Sequence, residues 1–380
     1  MSAILLLLWN RKLNKKEKYR VMKIETIKIS ELESFIDSTL YKNFADIPIT
    51  RLRALSQAKN PRASQDDVAL IFTHEDNELL SYIGLLPDTV WHGNEQQRVW
   101  WNSCWWANEK VKNNGSMHLF YLACKLTNGK LYFPELTPHT GELLNRMKNF
   151  TTLNVGGVRA YLKLNIADIL PARKKAFVKV RPILLLIDWG INLIYSPFRW
   201  NWKKMLQKKD LDFKIIDRID DEAAHFIGKN NTNELFRRNK EELNWIIDNP
   251  WITEGEAQPN QQYAFSLQAK SFKTVSVKIY ENQQIIGFFI LLLRNGDAKL
   301  TYCYFNENSI ANFVDILYKV LLNNNVFTFL SFDSNVSKFI QNNKNPFIFT
   351  RKQVKTIAFP KDVELQPQAI QDGDGDCAFV

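Results

Sequence analysis

Short apolar runs separated by polar turns dominate the chain, and their spacing predicts strands more often than long helices. Val68–Phe72 and Leu79–Leu86 are two such runs, joined by the polar stretch Thr73–Glu78 in the manner of an antiparallel pair. A third run, Arg98–Trp106, is crowded with β-favouring aromatics. Beyond it, Asn108–Met117 contains Gly115 and leads into the helix-like His118–Lys125. Upstream, Lys23–Ile29 reads as a strand and residues 30–58 as helical. Downstream come a strand at Lys130–Phe133 and a helix over Thr137–Phe150, with Pro138 in its first turn. Thr151–Val155 and Val158–Leu164 read as strands flanking Gly156-Gly157.

The second half repeats this order of elements. Phe213–Ile216 is a first strand, followed by helical stretches at Glu222–Gly228 and Asn233–Asp248. Tyr263–Leu267, Thr274–Tyr280, Ile285–Leu293 and Leu300–Phe305 read as strands, Ser309–Leu322 as a helix, and Val326–Phe332, Asn335–Gln341 and Val354–Phe359 complete the series. The repeat is one of elements, not of residues. A helix start offers unpaired amides and a favourable dipole to an anion, so the turn at Gly115 is a candidate phosphate seat. The matching loop of the second half, Asn306–Ala311, has no glycine and carries Glu307, which repels a phosphate.

The strand order, together with Lys112-Asn113-Asn114-Gly115-Ser116-Met117, resembles the GNAT superfamily of acyl-CoA-dependent N-acyltransferases. The pyrophosphate loop of that family runs Arg or Gln, two residues, Gly, one residue, then Gly or Ala. Here Lys112 stands at the first position and Met117 replaces the last small residue. The resemblance implies an α+β chain of two tandem GNAT-like domains, each a mixed, mostly antiparallel sheet flanked by helices. The expected division is a basic extension at 1–21, an N-terminal domain at 22–172, a basic and apolar linker helix at 173–210, a C-terminal domain at 211–360 and an acidic tail at 361–380. Acetyl-CoA or another acyl-CoA is the implied co-substrate, seated on residues 112–117, and the second copy is expected not to hold CoA in the usual way.

At 380 residues, 45% hydrophobic and 13% aromatic, the chain suits two folded domains. Its net charge of +10 is local. Residues 1–23 hold seven cationic side chains against one carboxylate, and residues 173–204 eight against one, so no general nucleic-acid surface is expected. The apolar run Ile4–Trp9 precedes its positive charges, which inverts the order of a secretory signal, and residues 1–21 read either as an upstream extension of the frame or as a helical or membrane-touching arm. Cys104, Cys124, Cys303 and Cys377 have no metal spacing, nor do the five histidines, so no metal is expected and a reducing cytoplasm fits best. Asp372-Gly373-Asp374-Gly375-Asp376 resembles part of a calcium loop, but without further ligands it reads as a solvated tail. The apolar stretch Ile183–Tyr195 is too short to span a bilayer. Two readings of it remain: an inter-domain helix buried between the copies, which is the favoured expectation, and an interfacial helix making peripheral membrane contact.

Acyl transfer to an amine needs a neutral amine, a route for its proton and donors for the developing oxyanion. In the family the strand before the pyrophosphate loop lines the acyl group, which makes Ser103 and Cys104 candidate catalytic residues beside Asn102. A buried strand thiol is the bland reading of Cys104. Tyr132 is a further candidate, because the helix that in the family often supplies a tyrosine acid, here Thr137–Phe150, has none. Arg51, Arg53 and Arg62 are candidate substrate contacts, since the segment before the hairpin walls the acceptor site in the family. Asp66 and Asp67 either neutralise an amine or cap a strand end. The implied activity is N-acylation of a small amine such as an amino sugar or amino-acid derivative. The alternatives are a Fem-type aminoacyl-tRNA-dependent transferase and a non-catalytic GNAT-like protein that binds a partner or a membrane surface.

Overall fold

Five segments build the first sheet: β1 (Lys23–Lys28), β2 (Val68–Glu75), β3 (Glu78–His92), β4 (Glu95–Ala107) and β5 (Leu131–Tyr132), hydrogen-bonded in that order, with β2 and β3 buried along most of their length. The structure is a computed structural model and describes residues 22–111, 114–255, 261–265, 268–363 and 370–379. The β2–β3 connection is tighter than the sequence suggests. The strands run in register to Glu75 and Glu78, leaving a two-residue turn in which Asp76 takes a φ of 49°, a conformation that Asp and Asn tolerate. β3 also continues through Pro87, which lies opposite Trp100. Helices α1 (Leu32–Asp37), α2 (Thr39–Asn43) and α3 (Arg51–Ala58) cover one face, packing Phe35, Phe44 and Ala54 on Leu70, Phe72 and Tyr82. On the other face, α4 (Ser116–Leu126) and α5 (Pro138–Met147) bury Leu119, Phe120, Ala123 and Leu144.

The pair of strands expected around Gly156-Gly157 is one strand, β6 (Phe150–Tyr161). It pairs along its whole length with a later strand, Phe349–Pro360, and it belongs to the second sheet. That sheet contains β7 (Asp212–Ile216), β10 (Phe272–Glu281), β11 (Gln284–Arg294), β12 (Asp297–Phe305), β13 (Thr328–Ser331) and β14 (Phe349–Pro360), in the order β14-β6-β13-β12-β11-β10-β7. β8 (Thr253–Glu254) and β9 (Gln268–Ala269) form a separate short pair. Residues 263–265, expected as strand, lie outside any strand. Paired hydrogen bonds between Phe133 and Ala358, 2.8 and 3.1 Å, connect the two sheets just past β5.

The helices of the second half are α9 (Asp221–Asn230), α10 (Lys240–Asp248), α11 (Ile310–Asn323) and α12 (Ser334–Asn342), preceded by α6 (Ile166–Arg173), α7 (Arg181–Ile194) and α8 (Ser196–Lys208). An aromatic core spans both halves. Trp101 of β4 packs on Phe236 at 4.6 Å and on Tyr132 at 5.5 Å, in the same cluster as Phe288 and Tyr302 of the second sheet.

Two expectations are overturned. The linker helix α7 is not buried between the copies: of its residues only Leu184 and Asp188 are buried, while Ile183, Leu186, Trp189 and Ile194 face outward. No described helix is long and apolar enough to cross a membrane. The aspartate-glycine tail is not solvated either, because Asp372, Asp374, Cys377, Ala378 and Phe379 are buried. Each aspartate there has a cation. Asp372 pairs with Lys355 and, at 3.6 Å, with Lys299; Asp374 pairs with Arg238 at 3.2 Å; Asp376 lies 3.8 Å from Arg53.

Candidate functional site

The two sheets share a local irregularity at corresponding places. In the first, Gly84 pairs with Cys104 and Leu85 with Asn102, so Ser103 is an extra residue bulged out of β4. In the second, Ile290 pairs with Tyr302 and Leu291 with Leu300, so Thr301 is the bulged residue of β12. Each strand then meets its parallel neighbour over a few residues only, β4 with β5 at Trp100 and Trp101, and β12 with β13 at Asp297–Lys299. Past that point the parallel pairing ends, and the backbone groups on the unpaired edge need other partners.

The second half supplies them from its own chain. Gly373 donates to the Thr301 carbonyl, while the Gln371 side chain accepts from the Cys303 amide at 3.3 Å and donates to its carbonyl at 3.0 Å. In the first half the Ser103 carbonyl instead accepts from the Arg53 guanidinium at 2.8 Å. Arg53 is buried. It also donates to the Tyr263 hydroxyl at 2.7 Å and lies 4.1 Å over the Trp251 ring. Thr50, Arg53, Trp251, Tyr263, Phe265, Arg294 and Asp376 line a cavity of about 200 Å³ at this place. Ser103 Oγ is buried with no hydrogen-bond partner among the described residues. Burial pushes the Asp376 carboxyl up to about 6, against the opposing pull of Arg53 and Lys299. A carboxylate at that value takes and returns a proton near neutral pH.

The loop leading to α4 is pinned to three strands. The Asn114 carbonyl accepts from Thr73 Oγ1 and Ser81 Oγ, each at 2.8 Å, and Ser116 Oγ accepts from Trp105 Nε1 at 2.7 Å. Gly115 caps the helix with a φ of 77°. A Cβ there would also lie 3.0 Å from Thr73 and 3.1 Å from the Met22 sulfur, so both conformation and space call for glycine. Asn114 Oδ1 accepts from the Ser116 amide at 3.1 Å, and Met117 is exposed on the first turn. Lys112 and Asn113 lie outside the described residues. Trp105 follows Ser103 by two residues, so one strand, β4, touches both the α4 start and the Arg53 that lines the cavity. The corresponding connection of the second half is a 3-10 turn, Glu307–Ser309, before α11.

The remaining candidates have other surroundings. Arg51 is exposed and pairs with Asp37 at 2.7 Å. Arg62 is buried in an ion cluster between the halves, bound to Asp88 and Glu242 at 2.5 Å each, and Arg238 joins that cluster through Asp88 at 2.8 Å. Burial raises Asp88, but Arg238 and Arg62 outweigh it and hold the carboxyl down to about 2. Cys104 is buried, and burial pushes its thiol up, away from the thiolate that a nucleophile requires. Tyr132 is buried in the aromatic core and its hydroxyl has no partner among the described residues. Asp66 pairs with Lys28 at 2.9 Å and Asp67 with Arg98. Sequence reasoning missed Tyr263, Trp251, Arg294 and Asp376. The one available signal was the alternation of aspartate and glycine, which spaces three carboxylates along a closely packed segment.

No protein-family model matches the sequence, and no curated protein matches it. Solved structures do. N-myristoyltransferase from Saccharomyces cerevisiae, solved with bound myristoyl-CoA, superposes with a TM-score of 0.50 at 11% identity, covering 95% of this chain and 85% of that one. A GCN5-related N-acetyltransferase from Anabaena variabilis superposes at 0.45 with 7% identity, covering 89% and 72%. The likeness to the myristoyltransferase, joined to the repeated strand order and the paired bulges, identifies the chain as a tandem GNAT-fold protein of two α+β halves, each a mixed, mostly antiparallel sheet flanked by helices.

Proposed function

We propose that this protein is an acyl-CoA-dependent N-acyltransferase whose single reaction centre lies at the Ser103 bulge of the first half. One observation carries the reading. Of two equivalent bulges, that of β12 is covered by residues 371–373, whereas that of β4 is met by the Arg53 side chain, which lines a cavity with Tyr263 and Asp376. The bound myristoyl-CoA of the yeast neighbour supports acetyl-CoA or a longer acyl-CoA as co-substrate. Its pyrophosphate sits at the start of α4, where Gly115 turns the chain and the first-turn amides have no acceptor within the helix.

The acceptor amine, a small molecule such as an amino sugar or amino-acid derivative, enters the Arg53 cavity. Its nitrogen attacks the thioester carbonyl, the C–S bond breaks and CoA leaves as the thiolate. Asp376 takes the amine proton, which passes on to the thiolate. Calorimetric titration with acetyl-CoA and longer acyl-CoA thioesters tests this. Saturable binding of one acyl-CoA per chain, followed by release of free thiol when amines are supplied, is the expected result. Binding at two sites, or at none, contradicts it.

A further inference from the structure

Helix α7 is patterned the wrong way round for a helix that packs on a protein core. A surface helix ordinarily turns its apolar stripe inward and its polar residues to water. Here two polar residues face inward, where they hold backbone. Asp188 accepts from the amides of Ile166 and Ala167 at 3.0 and 2.9 Å, and Asn192 pairs with both the amide and the carbonyl of Leu164 at 2.9 and 2.8 Å. The outward residues are apolar. Leu186, Trp189 and Ile194 are 68%, 67% and 75% exposed, and Trp200 on α8 is 57% exposed.

Charge decides what covers this face. Residues 163–208 carry ten lysines and arginines against two carboxylates. Both carboxylates are engaged, Asp188 by backbone amides and Asp168 by Arg181 at 3.0 Å. Beside the start of α8, Lys163, Arg199 and Lys203 line a cavity of about 250 Å³, walled by Trp200, Leu321 and Val326, with no acidic residue in its lining. Burial, reinforced by Arg199 and Lys203, holds the Lys163 ammonium below its ordinary value, as expected of cations gathered without an anion. A second copy of the chain would bring the same positive field against itself. A nucleic acid would leave the leucine, isoleucine and tryptophan side chains uncovered. A bilayer with anionic headgroups satisfies both, since apolar side chains enter the acyl boundary while cations meet phosphate.

We propose that α7 and the start of α8 form a docking surface for an anionic phospholipid bilayer. Leu186, Trp189 and Ile194 insert at the interface, and the Lys163–Arg199–Lys203 cavity seats a headgroup phosphate. Flotation of the full chain with vesicles of phosphatidylglycerol and phosphatidylcholine in equal parts, and with phosphatidylcholine alone, tests it. The expected result is at least tenfold stronger partition onto the anionic vesicles, weakening with added salt. Changing Leu186, Trp189 and Ile194 together to Ser should abolish at least nine-tenths of that partition with the melting temperature unchanged, and Lys203→Glu should weaken it severalfold. Equal partition onto both vesicles, undiminished binding by the triple variant, or a lower melting temperature for it overturns the proposal. So does a dimer of the wild type that the triple variant dissociates.

Discussion

Gly373 donates its backbone N–H to the carbonyl of Thr301 at 2.8 Å, closing with the chain's own backbone an edge that β12 would otherwise leave open. The same carbonyl in the first half, that of Ser103, is met by the Arg53 side chain, which lines a cavity. One fold, used twice, thus closes this edge with backbone in one copy and with a cavity-lining side chain in the other.

That seal depends on the absence of a side chain at position 373. A Cβ there would lie 2.4 Å from the Tyr302 ring, whose hydroxyl already donates to the Gly373 carbonyl at 2.8 Å. Gly373→Ala is expected to cost about 1–3 kcal/mol through overpacking. Residues 370–379 should become more readily cleaved in limited proteolysis. Unchanged melting and unchanged protection would show that the tail is not packed against Tyr302.

Burial pushes the Asp376 carboxyl up to about 6, against the pull of Arg53 and Lys299. If it takes the amine proton, turnover rises with pH through about 6 and levels above. Asp376→Asn should lower kcat by about 10²–10⁴ and remove that limb of the profile. Acyl-CoA affinity should stay the same. A variant that keeps the wild-type pH profile would remove Asp376 from the chemistry.

Gly115→Glu places bulk and negative charge at a position of positive φ in contact with Thr73 and Met22. Acyl-CoA binding by calorimetry should vanish, whereas Asn308→Glu, in the matching turn before α11, should leave it intact. Melting curves of both variants separate loss of the site from loss of the fold. Equal affinity for the wild type and Gly115→Glu in folded protein excludes the α4 start as the pyrophosphate seat.

Burial pushes the Glu234 carboxyl up to about 8, from an ordinary value of 4.5. The folded protein therefore keeps this proton in a window where the unfolded chain releases it, and stability falls as pH rises from about 4.5 to 8. Glu234→Gln removes the titrating group while retaining an oxygen for Gln371, which donates to Glu234 at 2.6 Å. Chemical denaturation at several pH values should show a shallower decline for the variant than for the wild type. Parallel curves would mean that Glu234 does not carry the effect.

Local pattern was enough for most strands, because short apolar runs and turn-forming Asp, Asn and Gly act within a few positions. The β2–β3 pair, the Gly115 turn and the repeated element order were legible in this way. Contacts made across the fold were not. Nothing near Arg53 in sequence indicates that it meets Ser103 and Tyr263, and nothing near Arg62 indicates that Asp88 and Glu242 consume its charge. The apolar composition of α7 suggested burial, yet the orientation was set by Asp188 and Asn192, whose backbone partners lie more than twenty residues earlier. Composition reads an apolar helix. It does not read which side of it is anchored.

The burial of Asp376 against Arg53 has a consequence for how the protein is made. A ribosome adds about 5–20 residues per second, so Arg53 emerges on the order of 15–60 s before the carboxylate that completes its cavity. During that interval the first sheet can form, since its hairpins are local, but the Arg53 cavity waits, without one of its walls, on a segment synthesised last among the described residues. A nascent chain halted before residue 370 would carry every strand of both sheets and an Arg53 cavity without Asp376.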